Sequence, residues 1–254
     1  MIRLENLTLA YGSRTLIRDV TAEVPRGRLT ALVGRNGTGK STLLRAIAGL
    51  GRAAAGRILV GGREVGSLTP AEMAVTVALV TTDKVRIADL RCRDVVALGR
   101  APYTDWIGRL QRDDMRIVER SLALVGMESY ADKTMDRMSD GECQRIMIAR
   151  ALAQQTPVML LDEPTAFLDM PNRYELCTLL RRLAREEDKC VLFSTHELDI
   201  ALALCDDMAL IAPPDLRILP TDEMVRSGHI ERLFTGDTVT FDPLTRNITV
   251  RDRE

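Results

Sequence analysis

Two stretches near the start, MIRLENLTLAYG and TLIRDVTAEVP, place apolar residues at nearly every second position. A period of two belongs to half-buried strands, and the two together predict an antiparallel pair. RLTALVG follows as a short apolar run, closed by glycines before STLLRAIAGL resumes with helical spacing. Between about residues 89 and 155 the pattern is helical, and Met115, Val118, Leu122 and Val125 fall on one stripe. Apolar runs then return as VMLLD and CVLFSTH, separated by a helix near 172–185 whose Leu176, Leu179, Leu180 and Leu183 share a face. Runs apolar on both sides, alternating with helices, imply a mainly parallel sheet covered on both faces. The tail from Pro213 carries strand-like and helical pieces whose order the pattern leaves open.

Length and charge narrow the picture. The 254 residues suit one large domain, or one domain with an inserted subdomain. Lys and Arg number 35 against 36 Asp and Glu, so the net charge of −1 gives no electrostatic case for nucleic acid. No apolar run approaches the roughly 18 residues needed to span a bilayer, and the start lacks a signal-peptide core, so a cytosolic chain is expected. Cys92, Cys143, Cys177, Cys190 and Cys205 are odd in number and lack metal spacing. They read as reduced, buried small residues.

Chemistry enters with GRNGTGKS at residues 34–41, which fits G-x-x-x-x-G-K-[ST] between a strand and a helix. Glycines there let backbone N–H groups turn inward around phosphate oxygens, and the helix start adds a favourable dipole. Lys40 is then the phosphate lysine, and the Ser41 hydroxyl a ligand of Mg²⁺. VMLLDEP ends a buried strand in two carboxylates, and ligands of such sheets sit at the carboxyl ends of the strands. Asp162 therefore suits the Mg²⁺ shell, and Glu163 suits a base for an attacking water. His196 closes the next strand on the same edge, where a structural role is equally open. MSDGECQR leads into a helix, and its Ser139 and Glu142 have the spacing of a capping box.

The phosphate loop, MSDGECQR, VMLLDEP, AFLD and STH, in this order, resemble the ATP-binding subunit of an ABC transporter over about residues 1–211. The resemblance implies an α/β phosphate-loop ATPase with a mainly parallel sheet, an N-terminal antiparallel β part and an inserted helical subdomain. The whole of 1–254 would be one ATP-binding domain, with a core at about 1–84 and 156–212. The helical subdomain would take about 85–155, and a C-terminal extension about 213–254. It implies that Tyr11 stacks on adenine, and that Gly34, Asn36, Gly37, Gly39, Lys40, Ser41 and Thr42 hold ATP. Lys40, Asp162, Glu163 and His196 match the family's phosphate lysine, metal aspartate, catalytic glutamate and γ-phosphate histidine. Asp169 matches the aspartate of the loop that crosses between subunits.

The same resemblance makes MSDGE the signature loop, usually LSGGQ, in which Ser139 and Gly141 touch the γ-phosphate held by a second copy of the chain. One departure stands out. The family's glutamine after the strand TVALV is replaced, with Thr82 at its position and Asp83 beside it as the rival. Thr82 is expected to reach Mg²⁺ through a water. DVVALGRAPY resembles the corresponding segment of iron–siderophore, haem and cobalamin importer ATPases, and Tyr103 and Trp106 are either its subdomain's core or its surface. The implied function is an ATPase on the cytoplasmic face of the membrane, bound to separate transmembrane permease subunits and powering import. A soluble ABC ATPase in a scaffold such as iron–sulfur cluster assembly, and a phosphate-loop kinase or switch, are the other readings.

Overall fold

The computed structural model describes residues 1–82, 88–234 and 239–250. The chain runs β1 (Ile2–Tyr11), β2 (Arg14–Val24), β3 (Arg28–Val33), α1 (Lys40–Ile47), β4 (Ala55–Val60), β5 (Arg63–Glu64), α2 (Pro70–Ala74) and β6 (Val77–Val80). Helices α3 (Cys92–Ala97), α4 (Arg112–Leu124) and α5 (Asp140–Ala153) follow without an intervening strand. Then come β7 (Val158–Leu161), α6 (Met170–Glu186), β8 (Cys190–Thr195), α7 (Leu198–Leu204), β9 (Asp207–Ala212), β10 (Asp215–Pro220), α8 (Thr221–Arg226), β11 (Val239–Asp242) and β12 (Asn247–Val250).

Among the described residues two large sheets carry the core, and β11 and β12 pair by themselves as a third, small one. The alternating N-terminal stretches pair antiparallel in the order β2-β1-β4-β5. The apolar runs form a second sheet in the order β10-β9-β3-β8-β7-β6, parallel from β9 to β6 with β10 antiparallel at one edge. β10 lies beyond residue 212 and still belongs to this sheet.

Period-two alternation sorts each central strand between two cores. Val158, Leu160, Cys190, Leu192 and Leu32 pack with β1, β2 and α1 on one face. Met159, Leu161, Val191, Phe193 and Val33 pack with the helices on the other. All five cysteines are buried thiols outside any disulfide, as their scattered spacing implied.

The helical segment is attached by polar groups as well as packing. Arg100, 5% exposed, donates to Asp114 Oδ1 at 2.9 Å, the Ala153 carbonyl at 2.8 Å and Gln155 Oε1 at 2.9 Å. Gln154 reaches back to the carbonyls of Ala74 and Val77 at 2.6 and 3.2 Å. Gly99 permits this closeness, because a Cβ there would lie 2.2 Å from the Arg150 carbonyl oxygen. Trp106 settles one open choice: it is 94% exposed and belongs to the surface, with Leu98, Tyr103 and Ile107 also exposed.

Removing one member of a buried ion pair strands the other, a loss of about 3–5 kcal/mol. Asp114→Ala is expected near the lower figure, about 3 kcal/mol, because Arg100 keeps two further acceptors. Urea unfolding measures it. The double change Arg100→Met with Asp114→Leu should recover part of that loss.

Candidate active site

The parallel register brings the chemistry to one edge. Val33 pairs with Thr195 and Leu161 with Phe193, so β3, β7 and β8 end within two residues of each other. The phosphate loop leaves β3, Asp162 and Glu163 follow β7, and His196 follows β8. Gly37 and Gly39 take φ of 74° and 107°, a region that L side chains rarely adopt, and this turns the loop tightly into α1.

Lys40 is 6% exposed and donates to the Gly34 carbonyl at 2.8 Å. Its ammonium lies 3.9 Å from Glu163 Oε1. Burial lowers the Lys40 pKa from the ordinary lysine value, and the charges of Glu163 and Asp162 act in the opposite direction. His196 Nδ1 stands 4.0 Å from the same Glu163 oxygen, with its side chain 56% exposed. Glu163 itself turns the chain at φ 47°, an unusual conformation for a non-glycine residue and common near functional sites.

Sequence reasoning missed Ser194. It is fully buried; its hydroxyl donates to Asp162 Oδ1 at 2.6 Å and accepts from the Glu163 N–H at 2.8 Å. A serine inside an apolar run was the available signal, one position from the edge where the carboxylates gather. Thr82 Oγ1 donates to the Asp162 carbonyl at 2.9 Å. Its hydroxyl proton is thus engaged, and its oxygen can only accept. The rival Asp83 lies outside the described residues.

Beside the loop opens a cavity of about 520 Å³ lined by Tyr11, Arg14, Leu16, Asn36, Gly37, Gly39, Lys40, Ser41, Thr42 and Glu163. Tyr11 is 76% exposed at its rim, as an aromatic platform would be. Arg14 and Leu16 were not singled out beforehand; they enter because the β1–β2 hairpin folds over the loop. Gly34 does not line this cavity; with Asn36 and His196 it lines a second one.

Three expected residues, Ser139, Gly141 and Asp169, lie away from this cavity's lining. Ser139 caps α5: its Oγ accepts from the Glu142 N–H at 3.3 Å, and Glu142 Oε2 accepts from the Ser139 N–H at 2.8 Å. Gly141 follows in the first turn of α5. Asp169 caps α6, accepting from Asn172 N and Nδ2 at 3.1 and 2.6 Å. Within this one chain, then, the structure gathers Tyr11, the loop and Glu163 around one cavity, while Ser139, Gly141 and Asp169 sit at helix starts.

A model of the ABC transporter family matches residues 17–166. The chain is 42% identical to an uncharacterised ABC transporter ATP-binding protein of Methanocaldococcus jannaschii, over 83% of this chain and 73% of that one. It is 35% identical to a probable siderophore transport system ATP-binding protein of Bacillus subtilis, covering 96% and 89%. It is 37% identical to a cobalamin import ATP-binding protein of Halobacterium salinarum, covering 96% of this chain and 61% of that one. Among solved structures it resembles a metal-chelate type ABC transporter in an inward-facing conformation, with TM-score 0.80, 26% identity, and 92% and 88% of the two chains covered. It also resembles a dimeric bacterial ABC transporter cassette, with TM-score 0.73, 25% identity, and 87% and 99% covered.

Ser194→Ala would leave the Asp162 carboxylate and the Glu163 N–H without their buried partner. Each unsatisfied buried group costs about 1–3 kcal/mol, so a loss in this range is expected in denaturant unfolding. A change below about 0.5 kcal/mol would mean that water takes the hydroxyl's place.

Proposed function

The chain belongs to the ABC transporter family as an ATP-hydrolysing, ATP-binding subunit, and on that premise we propose that it powers a membrane importer of metal chelates of the iron–siderophore, haem or cobalamin class. The names of the siderophore and cobalamin relatives support this cargo class, as does the metal-chelate transporter of similar fold. The observation that carries the ATPase site is the shared position of Lys40 and His196, 3.9 and 4.0 Å from one Glu163 oxygen at the end of the sheet.

ATP lies in the cavity, its adenine on Tyr11 and its phosphates against the amides of Asn36, Gly37 and Gly39. Lys40 reaches the β- and γ-phosphates, and Ser41 and Thr42 close the loop around them. Bound Mg²⁺ neutralises charge on the phosphates. The donors present fit that ion: a hydroxyl at Ser41 and a carboxylate at Asp162 are hard oxygen ligands. Among the described residues no cluster of three acidic, histidine or cysteine side chains forms a self-sufficient metal cage. Mg²⁺ suits this arrangement, because it usually binds through one or two carboxylates together with substrate phosphates. Ser194 fixes one oxygen of Asp162 and leaves the other to the metal. Thr82, with its proton given to the Asp162 carbonyl, would have its oxygen lone pairs left to accept from a water on such an ion.

Glu163 takes the proton of the attacking water, and His196 meets the γ-phosphate. A second copy completes each site, supplying Ser139 and Gly141 from the start of its α5 and placing Asp169 across the interface. The helical subdomain, about 85–155, moves as the pair closes. Leu98, Tyr103, Trp106 and Ile107 form its exposed apolar surface, suited to the permease subunits. Among the described residues no helix is long and apolar enough to cross a membrane. In this reading the chain attaches peripherally, through those subunits, on the cytoplasmic face.

Glu163→Gln is expected to keep ATP binding, lower turnover by about 10²–10⁴ and accumulate an ATP-bound dimer on size-exclusion chromatography. A monomer with normal turnover would remove Glu163 from its role. Ser139→Arg should abolish ATP-driven pairing while each monomer still binds nucleotide, as followed by fluorescent-ATP titration. Loss of binding in the monomer would reduce Ser139 to a helix cap.

A further inference from the structure

The first turn of α6 joins two parts of the site. Arg173 Nε donates to the Leu168 carbonyl at 2.6 Å, and its Nη1 lies 2.7 Å from Glu197 Oε1. Leu168 immediately precedes Asp169, and Glu197 immediately follows His196. One planar guanidinium therefore bridges the loop that follows Glu163 and the segment that carries His196. Arginine suits the task, because its fork of donors is rigid and permanently charged.

Glu197 depends on this contact. Its side chain is 9% exposed, and its second oxygen, Oε2, is buried with no hydrogen-bond partner among the described residues. A carboxylate so enclosed is strongly destabilised if its one cation is removed. The next residue of α6, Tyr174, donates to Asp199 Oδ2 at 3.3 Å, a second and weaker hold on the same segment. The His196 ring meets Glu163 only at 4.0 Å, too far for a hydrogen bond.

We propose that Arg173 is a positioning residue for hydrolysis, holding His196 at its distance from Glu163 through Glu197. The inference rests on the reading of His196 given above. Arg173 does not line the cavity that holds Tyr11 and the phosphate loop. Its loss should then misplace a group acting on the transition state and leave ground-state binding of ATP alone.

The test is a double-mutant cycle on steady-state ATPase activity, with thermal melting as a check on folding. His196→Ala alone should lower kcat. Arg173→Ala should lower kcat about ten-fold, as small displacements of catalytic groups do, with KM for ATP unchanged within about two-fold. In the His196→Ala background it should cause no further loss, the mark of two residues acting through one path. Arg173→Lys restores the charge without the fork and should recover part of kcat. Should Arg173→Ala melt at the assay temperature, Glu197→Gln takes its place. It keeps the shape and one acceptor, and should show a smaller kcat loss that is likewise silent beside His196→Ala. Equal losses in both backgrounds, or a raised KM at unchanged kcat, would overturn the link while leaving His196 in its role. An unchanged kcat in His196→Ala would sink the reading of His196, and this inference with it.

Discussion

The register between β3, β7 and β8 is the constraint on which everything at the site depends. Parallel pairing sets Val33 level with Thr195 and Leu161 level with Phe193. Continuing the β7–β8 register by one step places Asp162 beside Ser194, which is where the 2.6 Å hydrogen bond forms. On the other side, Val80 pairs with Leu161, which lets Thr82 meet the Asp162 carbonyl. A slip of one residue would turn Asp162 and Ser194 to opposite faces and exchange the two cores. Such a slip is opposed by every buried apolar side chain of β7 and β8, all of which sit inside one core or the other.

Once the strand ends are fixed, the backbone must leave the sheet abruptly to keep the charged groups close. It does so at the glycines of the phosphate loop without steric cost, and at Glu163 with some. A glutamate at φ 47° is held there by the Ser194 hydroxyl on its own N–H. The same buried hydroxyl therefore orients the Asp162 carboxylate and stabilises the turn that presents Glu163. Two adjacent acids with different surroundings result: Asp162 hydrogen-bonded inside the sheet edge, Glu163 open to the cavity beside Lys40. Environments that differ in this way allow neighbouring carboxylates to take different roles.

The parts legible in the sequence were those whose residue types are scarce alternatives for one job. A glycine-rich loop between an apolar strand and a helix has few other uses, and it placed Gly34 to Thr42 correctly at the end of β3. Period-two and period-3.6 patterns placed the antiparallel pair, the central strands and α4 to α6. What stayed hidden depends on partners far apart in sequence. Ser194 reads as an ordinary strand residue until Asp162, 32 positions away, is beside it. Arg100 looks like a surface arginine, yet it is buried against Asp114 and the end of α5. Trp106 carries no periodic signal at all, so only its surroundings could decide between core and surface. The tail's strand-like pieces were seen but not placed, because a mostly exposed edge strand ending in proline gives no signal of which sheet it joins.

The start of α5 shows how one local feature can satisfy a fold and still leave something over. The capping box engages the amides of Ser139 and Glu142, and no helical carbonyl lies upstream to accept from Gly141. The Ser139 N–H lowers the Glu142 pKa and keeps the carboxylate charged, with Tyr130 and Lys133 assisting; Lys133 Nζ stands 3.9 Å above the Tyr130 ring. Gly141 itself is not required by the chain's own packing. A Cβ there would touch only Leu168 Cδ2, at an ordinary 3.5 Å, and alanine would favour the helix by about 1 kcal/mol. A residue that weakens its own helix without relieving a clash makes sense if something outside the chain must come close to that backbone. A phosphate held by a second copy is a group of that kind, and a helix N-terminus is the place that favours it.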